Sequence, residues 1–140
     1  MTNEIHVYFQ YGLSILPVLV NAIRTKSAGP KALRDFLDTA QQELQDEMEL
    51  TARRRHLVSR RTTSRKERMQ VNRYYELNRR SQQSLKLALK ALESFNKDSD
   101  EKWLDQALRQ YDTSERFRIS QLKTRMRFMP LVCERISQAS

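Results

Sequence analysis

Between Lys31 and Met129 the chain contains neither glycine nor proline, a run of ninety-nine residues. Both residues weaken helix interiors and punctuate turns, so a stretch that lacks them is built for long helices. The apolar residues in it recur at helical spacing. Leu33, Leu37, Ala40, Leu44 and Met48 fall within a sector of about 80° on one helical face. A second stripe runs through Val71, Tyr74, Leu85, Leu89, Leu92 and Phe95, with Asn78 and Ser81 as polar members. Along one unbroken helix it would be rotated by about 140° from the first. The two stripes cannot face a single core unless the chain turns between them.

Ser64 and Glu67 supply a mechanism for that turn, because a serine three residues ahead of a glutamate forms a capping box. A turn is therefore expected at residues 60 to 64. The Asp98 to Glu101 pair, after FNKDS, repeats the pattern and sets a second boundary. A third stripe follows through Trp103, Leu104, Leu108, Tyr111, Ile119, Leu122, Met126 and Met129, with Pro130 expected to interrupt it. The expected architecture is all-α, a single domain of three long antiparallel helices at 31–61, 65–96 and 99–129. An apolar helix at 4–26 precedes them, and a short tail at 130–140 follows. Short connections make such helices an elongated up-and-down bundle, and 140 residues suffice for one core.

The N-terminal segment from Ile5 to Ile23 has no charged residue except a neutral-range histidine, and it ends just before Arg24 and Lys26. Its length approaches that of a membrane span. His6, Gln10, Ser14, Asn21, Gly12 and Pro17 make it only moderately apolar and favour a packed helix. Anchoring in a bilayer is the competing expectation, with Arg24, Lys26 and Lys31 on the cytoplasmic side. Met1 to Glu4 carries no cation, and no small-residue cleavage site follows the apolar run, so no secretory signal of the usual form is expected.

Little in the chain points to catalysis. The two histidines, His6 and His56, have no carboxylate three or four positions away, and glycines occur only at positions 12 and 29, which excludes a glycine-rich phosphate loop. The lone Cys133 permits neither an internal disulfide nor a multi-cysteine zinc site, and it suits a reducing, cytoplasmic setting. The expectation is a non-enzymatic protein with no cofactor and no metal.

Charge is the informative feature. The net charge is +9, and 18 arginines stand against 8 lysines, a bias toward bidentate contacts with phosphate or carboxylate. Residues 35 to 52 hold six acids and no base, whereas residues 53 to 68 carry eight bases and one acid. In the third long helix Asp100, Glu101, Asp105, Asp112 and Glu115 come first, and Arg116, Arg118, Lys123, Arg125 and Arg127 come last. Up-and-down packing therefore predicts one basic pole.

Cations at a helix end complement its dipole, which accounts for Arg53 to Arg61 without any partner. Arg65, Lys66 and Arg68 lie in the expected first turn of the next helix, where positive charge opposes the dipole and neighbouring free N–H groups suit a phosphate. The candidate anion-binding set is Arg53, Arg54, Arg55, Arg60, Arg61, Arg65, Lys66 and Arg68. The expected function is that of an adaptor or assembly subunit, with nucleic acid or an acidic protein surface as partner. The alternatives are a membrane-anchored stalk and a homo-oligomeric structural protein in which the apolar first helix completes a bundle between subunits.

Overall fold

The computed structural model describes residues 12–62 and 64–139, with side chains described for 13–62 and 64–126. A 3-10 turn, Gly12–Ile15, leads into α1 (Leu16–Arg24); α2 (Pro30–Arg61), α3 (Arg65–Asp98) and α4 (Lys102–Ala139) follow. The described residues form an all-α bundle without strands. α3 packs most extensively on α4, and α2 lies along α3. The end holding α1 and the α3–α4 connection is the base; the end holding the α2–α3 connection is the tip.

Each boundary has a local cause. At the end of α1, Ser27 N–H donates to the Ala22 carbonyl at 2.8 Å and Lys26 N–H to the Ile23 carbonyl at 3.1 Å. This pair of bonds is a Schellman ending, and it requires the left-handed backbone that Lys26 adopts, with φ of 60°. Gly29, the glycine nearest this turn, is instead extended at φ −97° and ψ −176°, immediately before Pro30 starts α2. The sequence expectation at Ser64 holds: its hydroxyl accepts from Glu67 N–H at 3.1 Å and starts α3.

The next boundary differs from expectation. α3 runs on to Asp98, and α4 starts at Lys102 rather than at residue 99. Asp98 accepts from Asp100 N–H at 3.0 Å and from the Trp103 indole at 2.9 Å, while the Asp100 carboxylate accepts from Lys102 N–H at 3.0 Å. Asp100 caps α4, and Asp98 serves the connection, which passes through Ser99 at φ 57°. Pro130 also departs from expectation, since α4 stays helical through it to Ala139. Proline lacks one N–H, so it removes one bond from the ladder without ending this helix.

The main core lies at the base. Leu16 and Val20 of α1, Leu33, Leu37, Ala40 and Leu44 of α2, Ala88, Leu89, Ala91 and Leu92 of α3, and Leu104 and Ala107 of α4 form one buried cluster. The four inward residues of α2 are those of its sequence stripe, and Met48 is half-buried. Of the N-terminal apolar segment, Ile5 to Tyr11 lie outside the described residues, and α1 inserts Leu16 and Val20 into the core. Among the described residues no helix is long and apolar enough to cross a membrane.

Toward the tip the packing becomes polar. Ser81, Gln82, Ser84, Ser114, Gln121 and Thr124 are all buried. Ser81 Oγ donates across to the Ser114 carbonyl at 2.9 Å, and Gln82 Nε2 donates to Thr51 Oγ1 at 3.1 Å. Beyond this layer sits a small apolar cluster of Val71 and Tyr75 with Val58 and Tyr74 packed against it. The α4 stripe read from sequence holds only as far as Tyr111. Ile119, Leu122 and Met126 are exposed, and the buried side passes instead through Ala107, Ser114 and Gln121, which are seven residues apart. A seven-residue repeat keeps one face on a neighbouring helix, and here small and polar side chains occupy it.

Candidate anion-binding surface

The eight candidate cations occupy the tip. Arg53, Arg54 and Arg55 lie in the last third of α2, Arg60 and Arg61 in its last turn, and Arg65, Lys66 and Arg68 in the first turn of α3. Thr62 ends α2 in an extended conformation, its hydroxyl donating to the Ser59 carbonyl at 3.0 Å. Val58 packs on Val71, which brings the two basic runs together across the connection.

Seven of the eight side chains are exposed: Arg53, Arg54, Arg60, Arg61, Arg65, Lys66 and Arg68. Arg55 is half-buried, because it continues the inward side of α2 with Thr51 and Val58. Among the described residues, Arg53, Arg54, Arg60, Arg65, Lys66 and Arg68 form no ion pair. Ser64 takes up the Glu67 N–H through its hydroxyl and the Arg68 N–H through its carbonyl. The positive end of the α3 dipole thus sits beside three cations.

Cations nearer the middle of the bundle behave differently. Arg79 donates to both carboxylate oxygens of Glu76, at 2.6 and 3.1 Å, and Arg80 reaches the same group at 3.3 Å. These hydrogen bonds, from Arg79 foremost, hold the Glu76 carboxyl down at about 2 and raise Arg79 above its usual value. The Arg80 guanidinium also lies 5.9 Å from the Phe117 ring centroid of α4, within cation–π range. Arg118 donates to Glu115 at 2.7 Å. These arginines staple their own helices or the α3–α4 pair, and their charge is answered locally.

The far half of α4 adds Arg116, Lys123 and Arg125, all exposed; the Arg127 side chain lies outside the described set. The Ser81–Ser114 bond fixes the antiparallel register, so these residues run beside the first half of α3, toward the tip. α2 and α4 meet only sparsely. The α4 cations therefore flank α3 on a separate wall from those of α2. Arg73, exposed and in no ion pair among the described residues, lies on α3 between Arg68 and the Arg79–Arg80 pair and stands outside the candidate set read from sequence. Its position two turns beyond Lys66 was the available signal.

Apolar side chains are interleaved with this charge. Leu57 and Met69 are exposed at the tip, and a surface pocket there is lined by Leu57, Arg60 and Arg61. Among the described residues no group of three or more His, Cys, Asp or Glu could hold a metal ion. His6 and Cys133 fall outside the described side chains. No protein-family model, no curated protein and no solved structure matches this chain.

Proposed function

We propose that the chain is a non-enzymatic helical adaptor or assembly subunit that binds an anionic partner, nucleic acid first, through its basic tip. The observation that carries this reading is the contrast in charge pairing. Glu76 and Glu115 hold the arginines beside them, whereas Arg53, Arg54, Arg60, Arg65, Lys66 and Arg68 are exposed without an ion pair among the described residues. Uncompensated charge of one sign attracts polyanions and steers them to the site. The lone cysteine fits a cytoplasmic setting. Bilayer anchoring by Ile5 to Ile23 is the second reading, and it would require Leu16 and Val20 to leave the core.

Binding of a labelled oligonucleotide across a salt series tests the reading. Six phosphate contacts predict a loss of about 10³-fold in affinity between about 50 and 200 mM salt. Replacing Arg65, Lys66 and Arg68 together by alanine should reduce the slope by about three contacts' worth. Affinity that does not change with salt would remove the proposed mode.

A further inference from the structure

We propose that two copies of this chain associate antiparallel along the outer face of α2, about a two-fold axis near Thr51 and Ala52. The inference draws on Arg53, Arg54 and Arg60 of the tip set but not on Arg65, Lys66 or Arg68, and it does not require polyanion binding. It rests on one stripe of α2 in which Asp46, Leu50, Arg53, Leu57 and Arg60 follow one another at spacings of four and three. Residues so spaced share a helix face. All five are exposed, with Leu50 at 44% and Leu57 at 54%, while the core-facing side of the helix is carried by Leu33, Leu37, Ala40 and Leu44.

The stripe changes sign at its centre. Asp46 stands before Leu50 and arginines after, with Glu47 and Arg54 repeating the change alongside. Within α2 this segregation leaves Glu49 and Arg53 as the one opposite-charge match four residues apart across the junction. That pair is not formed; Glu49 and Asp46 instead accept from Gln45 and Gln42, at 3.3 and 2.9 Å. Asp46, Glu47, Arg53, Arg54 and Arg60 have no ion pair among the described residues.

A parallel neighbour would set like charges against each other, whereas an antiparallel one sets the acidic half of the stripe beside the basic half. With the axis between Thr51 and Ala52, Glu49 comes within one residue of the level of the second copy's Arg53, on the same edge of the contact. Asp46 lies between the second copy's Arg53 and Arg60, one turn to each side. Leu50 and Leu57 supply apolar area that a polyanion site does not need and a helix–helix contact does. A two-fold contact is self-complementary by construction, and this stripe meets that condition in both charge and apolar content.

Sedimentation equilibrium of the full chain over a concentration series, at about 0.1 M salt where screening sets in beyond about 10 Å, tests the proposal with two variants. The wild type should dimerise. Asp46→Arg with Glu47→Arg makes the stripe wholly basic, and Arg53→Glu with Arg54→Glu and Arg60→Glu makes it wholly acidic. Each variant alone should dimerise about a hundredfold more weakly or worse, because like charges then oppose. Mixed in equal amounts they should form a heterodimer at wild-type strength, which also establishes that both fold. A wild type that stays monomeric, variants that dimerise as well as the wild type, or a mixture that fails to recover each overturn it; in the first case the stripe belongs to a different protein helix. The same variants separate this proposal from the tip's. Asp46→Arg with Glu47→Arg should abolish the dimer while oligonucleotide affinity stays or rises, so loss of either activity is read independently of the other.

Discussion

The base and the tip of this bundle are built from the same helices by different means. At the base, leucines and alanines from four helices interlock, and Leu16, Leu92, Leu104 and Ala107 are sealed from solvent. At the tip, Val71 and Tyr75 form a small cluster between two helices, and the α3–α4 seam is carried by Ser114, Gln121 and Thr124. Apolar burial is worth roughly 25 cal/mol per Å², whereas a satisfied hydrogen bond nets only about 1 kcal/mol. The difference teaches a division of labour, in which the base holds the fold and the tip, lightly held, presents charge.

Cavity formation should expose this contrast most strongly. Leu92→Ala should cost about 3 to 5 kcal/mol in a denaturant titration, and Val71→Ala about 2 kcal/mol or less. Equal costs would break the comparison. Next, Ser81→Ala removes the cross-helix bond to Ser114 and should cost about 1 kcal/mol, measured the same way. Lys26→Gly and Ser99→Gly relieve left-handed backbone at the base and should each stabilise by about 0.5 to 1 kcal/mol, raising the melting temperature. Ser99→Ala, which keeps the Cβ, should not.

Acid provides a subtler test. The Glu76 carboxyl titrates at about 2 in the folded chain, below the usual value of about 4.3 for an unfolded one. Its contribution is therefore present above about pH 4.3 and is lost as pH falls through that window toward 2. Glu76→Gln should flatten stability against pH over this interval in thermal melts. Glu43 works in the opposite sense. Burial, with Glu47 nearby, raises its carboxyl above the usual value, so its ionised form weighs against the fold near neutral pH and is relieved on acidification. Glu43→Gln should raise the melting temperature of the monomer at pH 7.

Much of the fold was legible because it depends on local chemistry. The breaker-free run, the phase change between stripes and the Ser64–Glu67 cap each act within a few residues. The second half of α4 was not legible, since Ile119, Leu122 and Met126 look like core, whereas Ser114, Gln121 and Thr124 are buried by the seven-residue geometry of α3 against α4. The α4 start was misplaced because two aspartates share the cap's work, and hydrogen bonding to Trp103 decides between them. For the candidate surface, sequence located the cations and the turn that gathers them. It did not reveal that Arg55 faces inward or that Arg79 and Arg80 are held by Glu76, because both depend on where neighbouring side chains lie.

The chain has a single tryptophan, and Trp103 sits half-buried at the base corner with its indole on Asp98 and Lys102 Nζ 5.0 Å from the ring centroid. Its emission is thus a reporter for one end of the molecule alone. Tyr74 and Tyr75, ring centroids 5.0 Å apart and edge to face, stand at the other end. Excitation at the red edge, where tyrosine does not absorb, therefore follows the base alone without any label, and comparing its change on heating with the loss of total helix tells whether that end lets go first or last.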